Sequence, residues 1–131
     1  MAESIRQTIT VELDSGLRRC VSSALSVDAY DVIDVTIADG AKEKEVQVQP
    51  GGAAQIQYML ITSDPCGAGL TYKVNSDAAE QTFHQLDAPQ VFMGTGAFAM
   101  LDAAAPTKLF FSNSLGKSAA LSILVGRKAA V

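Results

Sequence analysis

The fold turns on the reading of residues 108–126, KLFFSNSLGKSAALSILVG. At its centre, Gly116-Lys117-Ser118 is how a phosphate-binding P-loop ends, and Lys108–Phe111 is a strand of the kind such a loop follows. The complete motif places another glycine five residues before Gly116, which helps successive backbone N–H groups curl around a phosphate. Position 111 is Phe, and the intervening Ser112, Asn113, Ser114 and Leu115 include no glycine. The lysine should also open a helix. Instead Leu121, Ile123 and Val125 alternate with Ala120, Ser122 and Leu124, which is the period of a strand. The stretch therefore reads as two late strands joined by a hairpin turn, with Asn113 and Gly116 as turn residues.

The same period of two recurs along the chain. Ile9, Val11 and Leu13 alternate with Thr10 and Glu12, and are expected on the core face of a half-buried strand. Ile33, Val35 and Ile37 alternate with Asp34 and Thr36, Val46 and Val48 with Gln47, and Leu70, Tyr72 and Val74 with Thr71 and Lys73. Residues 55–62 set Ile56, Tyr58 and Leu60 against Gln57, Met59 and Ile61, so this strand is apolar on both sides in its second half. Turn chemistry separates the runs: Asp39-Gly40, which suits a tight hairpin, QPGGAA (49–54), SDPCGAG (63–69), and prolines ahead of strands at Pro89 and Pro106. Helix signals are confined to two short candidates: 21–31, which reads as a turn of helix or an irregular strand, and 76–86, with Ser76 as an N-cap. Strand signals at roughly ten-residue spacing predict an all-β, single-domain, mostly antiparallel β-sandwich over residues 1–131, with at most one or two short helical turns. The polar residues 1–7 are expected to form an N-terminal arm.

Composition narrows the function. The chain has 131 residues, 48% apolar, only 18% charged, and a net charge of −4. About a quarter charged is usual, so some apolar surface is expected to be covered by a partner. Lys and Arg do not cluster beyond Arg18-Arg19 and Arg127-Lys128, which argues against nucleic acid. No apolar run approaches the ~18 residues of a membrane span. The N-terminal MAESIRQTIT lacks a basic region followed by an apolar run, so neither a signal peptide nor secretion is expected. Cys20 and Cys66 are the only cysteines, more often free than bridged in a cytosolic chain.

Catalytic and ligand motifs are weak. Gly94-x-Gly96-x-x-Ala99 has dinucleotide-type spacing, but glycines of a hairpin or bulge explain it without a ligand. His84 is the only histidine, which removes any multi-histidine metal site. Asp28, Asp31 and Asp34 recur at every third residue rather than the alternate positions of a calcium loop. No catalytic residue, metal site or cofactor is expected. Residues 89–101, PQVFMGTGAFAML, carry almost no charge and place large apolar residues on both strand faces. They fit a central strand pair buried on both sides, or a face that meets another chain. Phe92, Met93, Phe98 and Met100 are the candidate partner interface.

One order of features spans nearly the whole chain. ITVELDSGL (9–17) and YDVIDVTIADG (30–40) are followed by VQVQPGGAAQIQYMLITSD (46–64) and GLTYKVN (69–75), then by LDAPQVFMGTGAFAMLDAAAPTKLFFSN (86–113) and ALSILVGRKA (120–129). In this order the chain resembles the small head-decoration, or cement, proteins of tailed bacteriophages. The resemblance implies a jelly-roll type of sandwich and a homo-dimer or homo-trimer seated on the major capsid protein at the outer surface of the virion. It implies no enzyme activity and no small-molecule substrate, and carries over no individual functional residue. The competing readings are a tail or baseplate component, a carbohydrate-binding sandwich, and an enzyme. The absence of Trp and the placement of Tyr58 and Tyr72 on apparent core faces count against sugar binding.

Overall fold

A computed structural model describes residues 3–48, 56–101 and 106–128. In chain order the elements are β1 (Glu3–Glu12), β2 (Arg18–Val27), β3 (Ala29–Ile37), β4 (Lys44–Gln47), β5 (Ile56–Asp64), β6 (Leu70–Val74), β7 (Phe83–Gln85), β8 (Gln90–Met93), α1 (Thr95–Phe98), β9 (Lys108–Asn113) and β10 (Ala119–Arg127). The body is two four-stranded antiparallel sheets, ordered β3-β10-β5-β8 and β4-β9-β6-β7, packed face to face. β1 and β2 form a separate two-stranded ribbon. The all-β sandwich expected from the alternation is thus the observed architecture.

Alternation places the core. Ile37 from β3, Met59 and Ile61 from β5, and Ile123 and Val125 from β10 point inward from one sheet. Leu70, Tyr72, Leu109 and Phe111 meet them from the other. Tyr72 lies against Phe111, with ring centroids 5.6 Å apart and tilted by 43°. Its hydroxyl donates to Gln90 Oε1 at 2.6 Å, tying the second sheet to edge strand β8 of the first. In β5, Met59 and Ile61 take the core, while Tyr58 and Leu60 lie on the outer face with Val91 and Leu124, as the register dictates.

The turns depart from expectation in an instructive way. β9 and β10 lie in different sheets, so residues 114–118 cross between sheets rather than close a hairpin. Asp39-Gly40 makes the parallel crossing from β3 to β4. The two crossings are joined at Asn113, which is 2% exposed. Its Nδ2 donates to Ile37 O and to Lys117 O, both at 2.9 Å, and its Oδ1 accepts from Leu115 N at 2.9 Å. Its backbone accepts from Gly40 N at 2.8 Å and donates to Ala41 O at 2.9 Å. Gly116, at φ +91°, donates its N–H to Asp39 Oδ1 at 3.0 Å. A non-glycine residue rarely adopts that φ.

The helical expectation at 76–86 is corrected, and of the two readings of 21–31 the strand is the one observed. Residues 76–82 are turns: Ser76 Oγ accepts from Ala78 N, a local bond that replaces an N-cap, and Gln81 Nε2 donates to Val74 O. Residues 21–27 belong to strand β2. Residues 89–101 form one edge strand followed by a single helical turn, not a strand pair, because Gly94 at φ +86° ends β8. The turn read at 49–54 and the run at 103–105 before Pro106 lie outside the described residues.

Asn113→Ala removes three side-chain bonds and strands their buried partners. It is expected to cost about 3 kcal/mol and to lower Tm by roughly 10 °C. The exposed Lys117→Ala should cost less than about 0.5 kcal/mol. Thermal denaturation followed by circular dichroism compares the two, and equal losses would remove the assigned role of Asn113.

Candidate functional site

β1 and β2 pair over ten residues each, from Glu3↔Val27 to Glu12↔Arg18. Asp14-Ser15-Gly16 closes the hairpin, with Gly16 at φ +98°, Leu13 N donating to Leu17 O and Gly16 N to Leu13 O. This is the three-residue loop that ends in a left-handed residue. Every residue from Thr8 to Ala24 is exposed. A lone two-stranded ribbon is marginal in water, so what holds this one, and what it offers, define the candidate site.

Its root is held by the body. Val27 is 1% exposed and Tyr58 4%, although Tyr58 sits on the outer face of its sheet. The root covers it: Tyr58 OH donates to Gln7 Oε1 at 2.7 Å, and Gln7 Nε2 reaches Met93 Sδ at 4.0 Å. Gly126 makes the close approach possible. A Cβ at that position would lie 2.5 Å from Ile5 Cδ1, 3.1 Å from Val27 Cγ1 and 3.4 Å from Tyr58 Cβ. The contacts step from β10 at Gly126 to β5 at Tyr58 and β8 at Met93. β8 is the sheet edge, so the ribbon continues past it as a projecting arm. Residues 3–7 are therefore the anchored root rather than a free N-terminal arm; the projecting element is 8–22.

The arm has two unlike faces. Thr8 pairs with Ser22, Thr10 with Cys20 and Glu12 with Arg18 on one side. There Thr8 and Ser22 hydroxyls lie 3.2 Å apart, and Arg18 Nε lies 3.4 Å from Glu12 Oε1, an exposed pair. The other face carries Ile9, Val11, Leu13, Leu17 and Val21, each 44–58% exposed, with Arg19 among them. Ile9, Val11 and Leu13 were expected on a core face. They are instead the exposed apolar face, in line with the root residues Ile5 and Gln7. Period two marks a face that wants cover, whether or not the same chain supplies it.

The residues nominated from 89–101 are dispersed. Phe98 is buried and stacks on Phe92, with centroids 5.9 Å apart. Phe92 packs against the core, Met93 meets the arm root, and Met100 stands 84% exposed. Phe83, Val91, Phe92 and Met100 help line a groove of about 640 Å³. Two of its polar side chains are engaged internally: Gln90 Nε2 donates to Gln85 O, and His84 Nε2 lies 3.1 Å from Leu101 O. The strand-to-turn step at Gly94 gives one helical turn on an antiparallel sheet, not the helix of a dinucleotide site. Cys20 and Cys66 are both free and exposed. Among the described residues, no group of three or more His, Cys, Asp or Glu could hold a metal ion, and no helix is long and apolar enough to cross a membrane.

Burial under the root raises the Tyr58 phenol above its ordinary pKa. A raised phenol binds its proton more tightly in the folded state, so its contribution is complete below about pH 10 and declines above it. Gly126→Val should force the root off the sheet and return Tyr58 toward ordinary titration, as read by ultraviolet difference spectroscopy in alkali. An unchanged titration would mean the root does not cover Tyr58. Compared with known proteins, the chain matches no family model and no curated sequence.

Proposed function

We propose that the chain is a virion structural protein, seated on the outer surface of a tailed-phage capsid, that stabilises the shell by binding the major capsid protein as a homo-dimer or homo-trimer. The observation that carries this reading is the projecting arm, whose apolar face is exposed among the described residues. Strand orders β3-β10-β5-β8 and β4-β9-β6-β7 support a jelly-roll reading of the body, since every step between consecutive body strands except β6 to β7 changes sheets. The resemblance to head-decoration proteins supplies the setting, and the arm supplies the means.

Magnitudes favour several arms acting together. Each of the five apolar arm residues has about half its surface left to bury, worth roughly 1 kcal/mol apiece. One arm thus gains on the order of 5 kcal/mol. Association costs roughly 4–15 kcal/mol in lost freedom, so a single arm is close to break-even. Arms that join copies of the chain give an oligomer, and an oligomer meets a symmetric shell at several places, each shell contact after the first being intramolecular.

The test is co-sedimentation with empty shells of the phage that encodes the chain. Wild type should sediment with the shells. A variant with residues 8–22 replaced by an Asn-Gly turn should keep its folded sandwich, judged by circular dichroism, and lose binding by at least tenfold. Failure of wild type to bind these shells would reject the reading.

A further inference from the structure

We propose that the projecting arm lies across the outer face of the β3-β10-β5-β8 sheet of a second copy of this chain. The inference rests on reading the arm as an assembly element, and names its first partner.

The outer face of that sheet is ordered in rows by its register. The row Tyr30–Gly126–Tyr58–Met93 lies where the arm root of the same chain packs. The adjacent row is Val32–Leu124–Leu60–Val91, an unbroken apolar line across all four strands. Val32 is 59% exposed and Val91 38%. Beyond it the surface turns polar, with Asp34–Ser122–Thr62, and Asp34, Thr36, Ala120 and Ser122 help line a shallow groove of about 360 Å³.

Three features match this face to the arm. The first is continuity. One face of the ribbon already packs on this sheet through Ile5, Gln7 and Val27, and the same face continues outward as Ile9, Val11 and Leu13. The second is length. Ile9 to Leu13 spans four residue steps, about 14 Å at ~3.4 Å each. Val32 to Val91 spans three strand spacings, also about 14 Å at ~4.8 Å each. The third is charge. Arg19 lies on the apolar face of the arm and makes no ion pair among the described residues; Asp34, beside the apolar row, likewise makes none. The arm cannot satisfy its own sheet, because its root carries it past the β8 edge. A second copy offers the same row without that restriction.

The test uses the full chain in sedimentation equilibrium at micromolar concentration, with circular dichroism confirming the fold of each variant. Wild type should exceed the 13.7 kDa of one chain. Val21→Asp on the arm and Val32→Asp on the sheet should each weaken association at least tenfold. An equimolar mixture of the two should recover a complex, because the intact arm of the sheet variant meets the intact sheet of the arm variant. Arg19→Asp and Asp34→Arg should each weaken association and together restore it. Replacing residues 8–22 by Asn-Gly gives the same loss should Val21→Asp misfold. A monomeric wild type, variants that still associate, or a mixture that stays monomeric would each overturn the proposal. Shell binding by a monomeric wild type would assign the arm to the capsid protein, keeping the shell-binding part of the decoration reading and removing its homo-oligomer. Association without shell binding would do the reverse.

Discussion

The fold depends on a buried amide. Asn113 sits where two of the sheet-to-sheet crossings, β3 to β4 and β9 to β10, pass each other, and its side chain uses both donors and its acceptor to bridge them. A sandwich in which all but one step between consecutive body strands changes sheets has little help from hairpin turns in setting register. It needs interactions across the loops themselves. Those bonds fix the end of β3 against the start of β10, and the β3–β10 pairing brings chain segments far apart in sequence together. Asn75 repeats the device at the other side of the second sheet. With φ at 65°, its Oδ1 accepts from Thr107 N and Lys108 N, and its own N–H donates to Lys108 O.

Much of the body was legible in period two. Leu121, Ile123 and Val125, or Leu70, Tyr72 and Val74, read directly as inward faces and are buried. Which strands pair was not legible, because a turn such as Asp39-Gly40 has the same chemistry whether it closes a hairpin or crosses between sheets. Ser76 shows the other ambiguity. A hydroxyl that can cap a helix can equally close a turn, and the local bond to Ala78 N prevailed.

The arm was legible in part. The alternation of Ile9, Val11 and Leu13 correctly marked a strand with one apolar face. The sequence has no way of saying whether the cover for that face lies in the same molecule. The low charged fraction raised the expectation of external cover, and the near-absence of charge in 89–101 placed it there, although those apolar residues are largely used internally. Phe98 and Phe92 serve the core, and Met93 the arm root. The better guide was the alternation of Ile9, Val11 and Leu13 ahead of Asp14-Ser15-Gly16, since that is the apolar face left exposed among the described residues.

Gly126 has a consequence that reaches beyond packing. The angle at which the arm leaves the body is set where Ile5 and Val27 rest on a residue without a side chain. The arm is long relative to that fulcrum, so a small tilt at position 126 becomes a displacement of several ångströms at Leu13 and Leu17. In the proposed assembly, spacing between neighbouring molecules would then be governed by one missing methyl group. A lineage could retune the curvature of such an assembly by altering that one contact, with neither the core nor the apolar face of the arm redesigned.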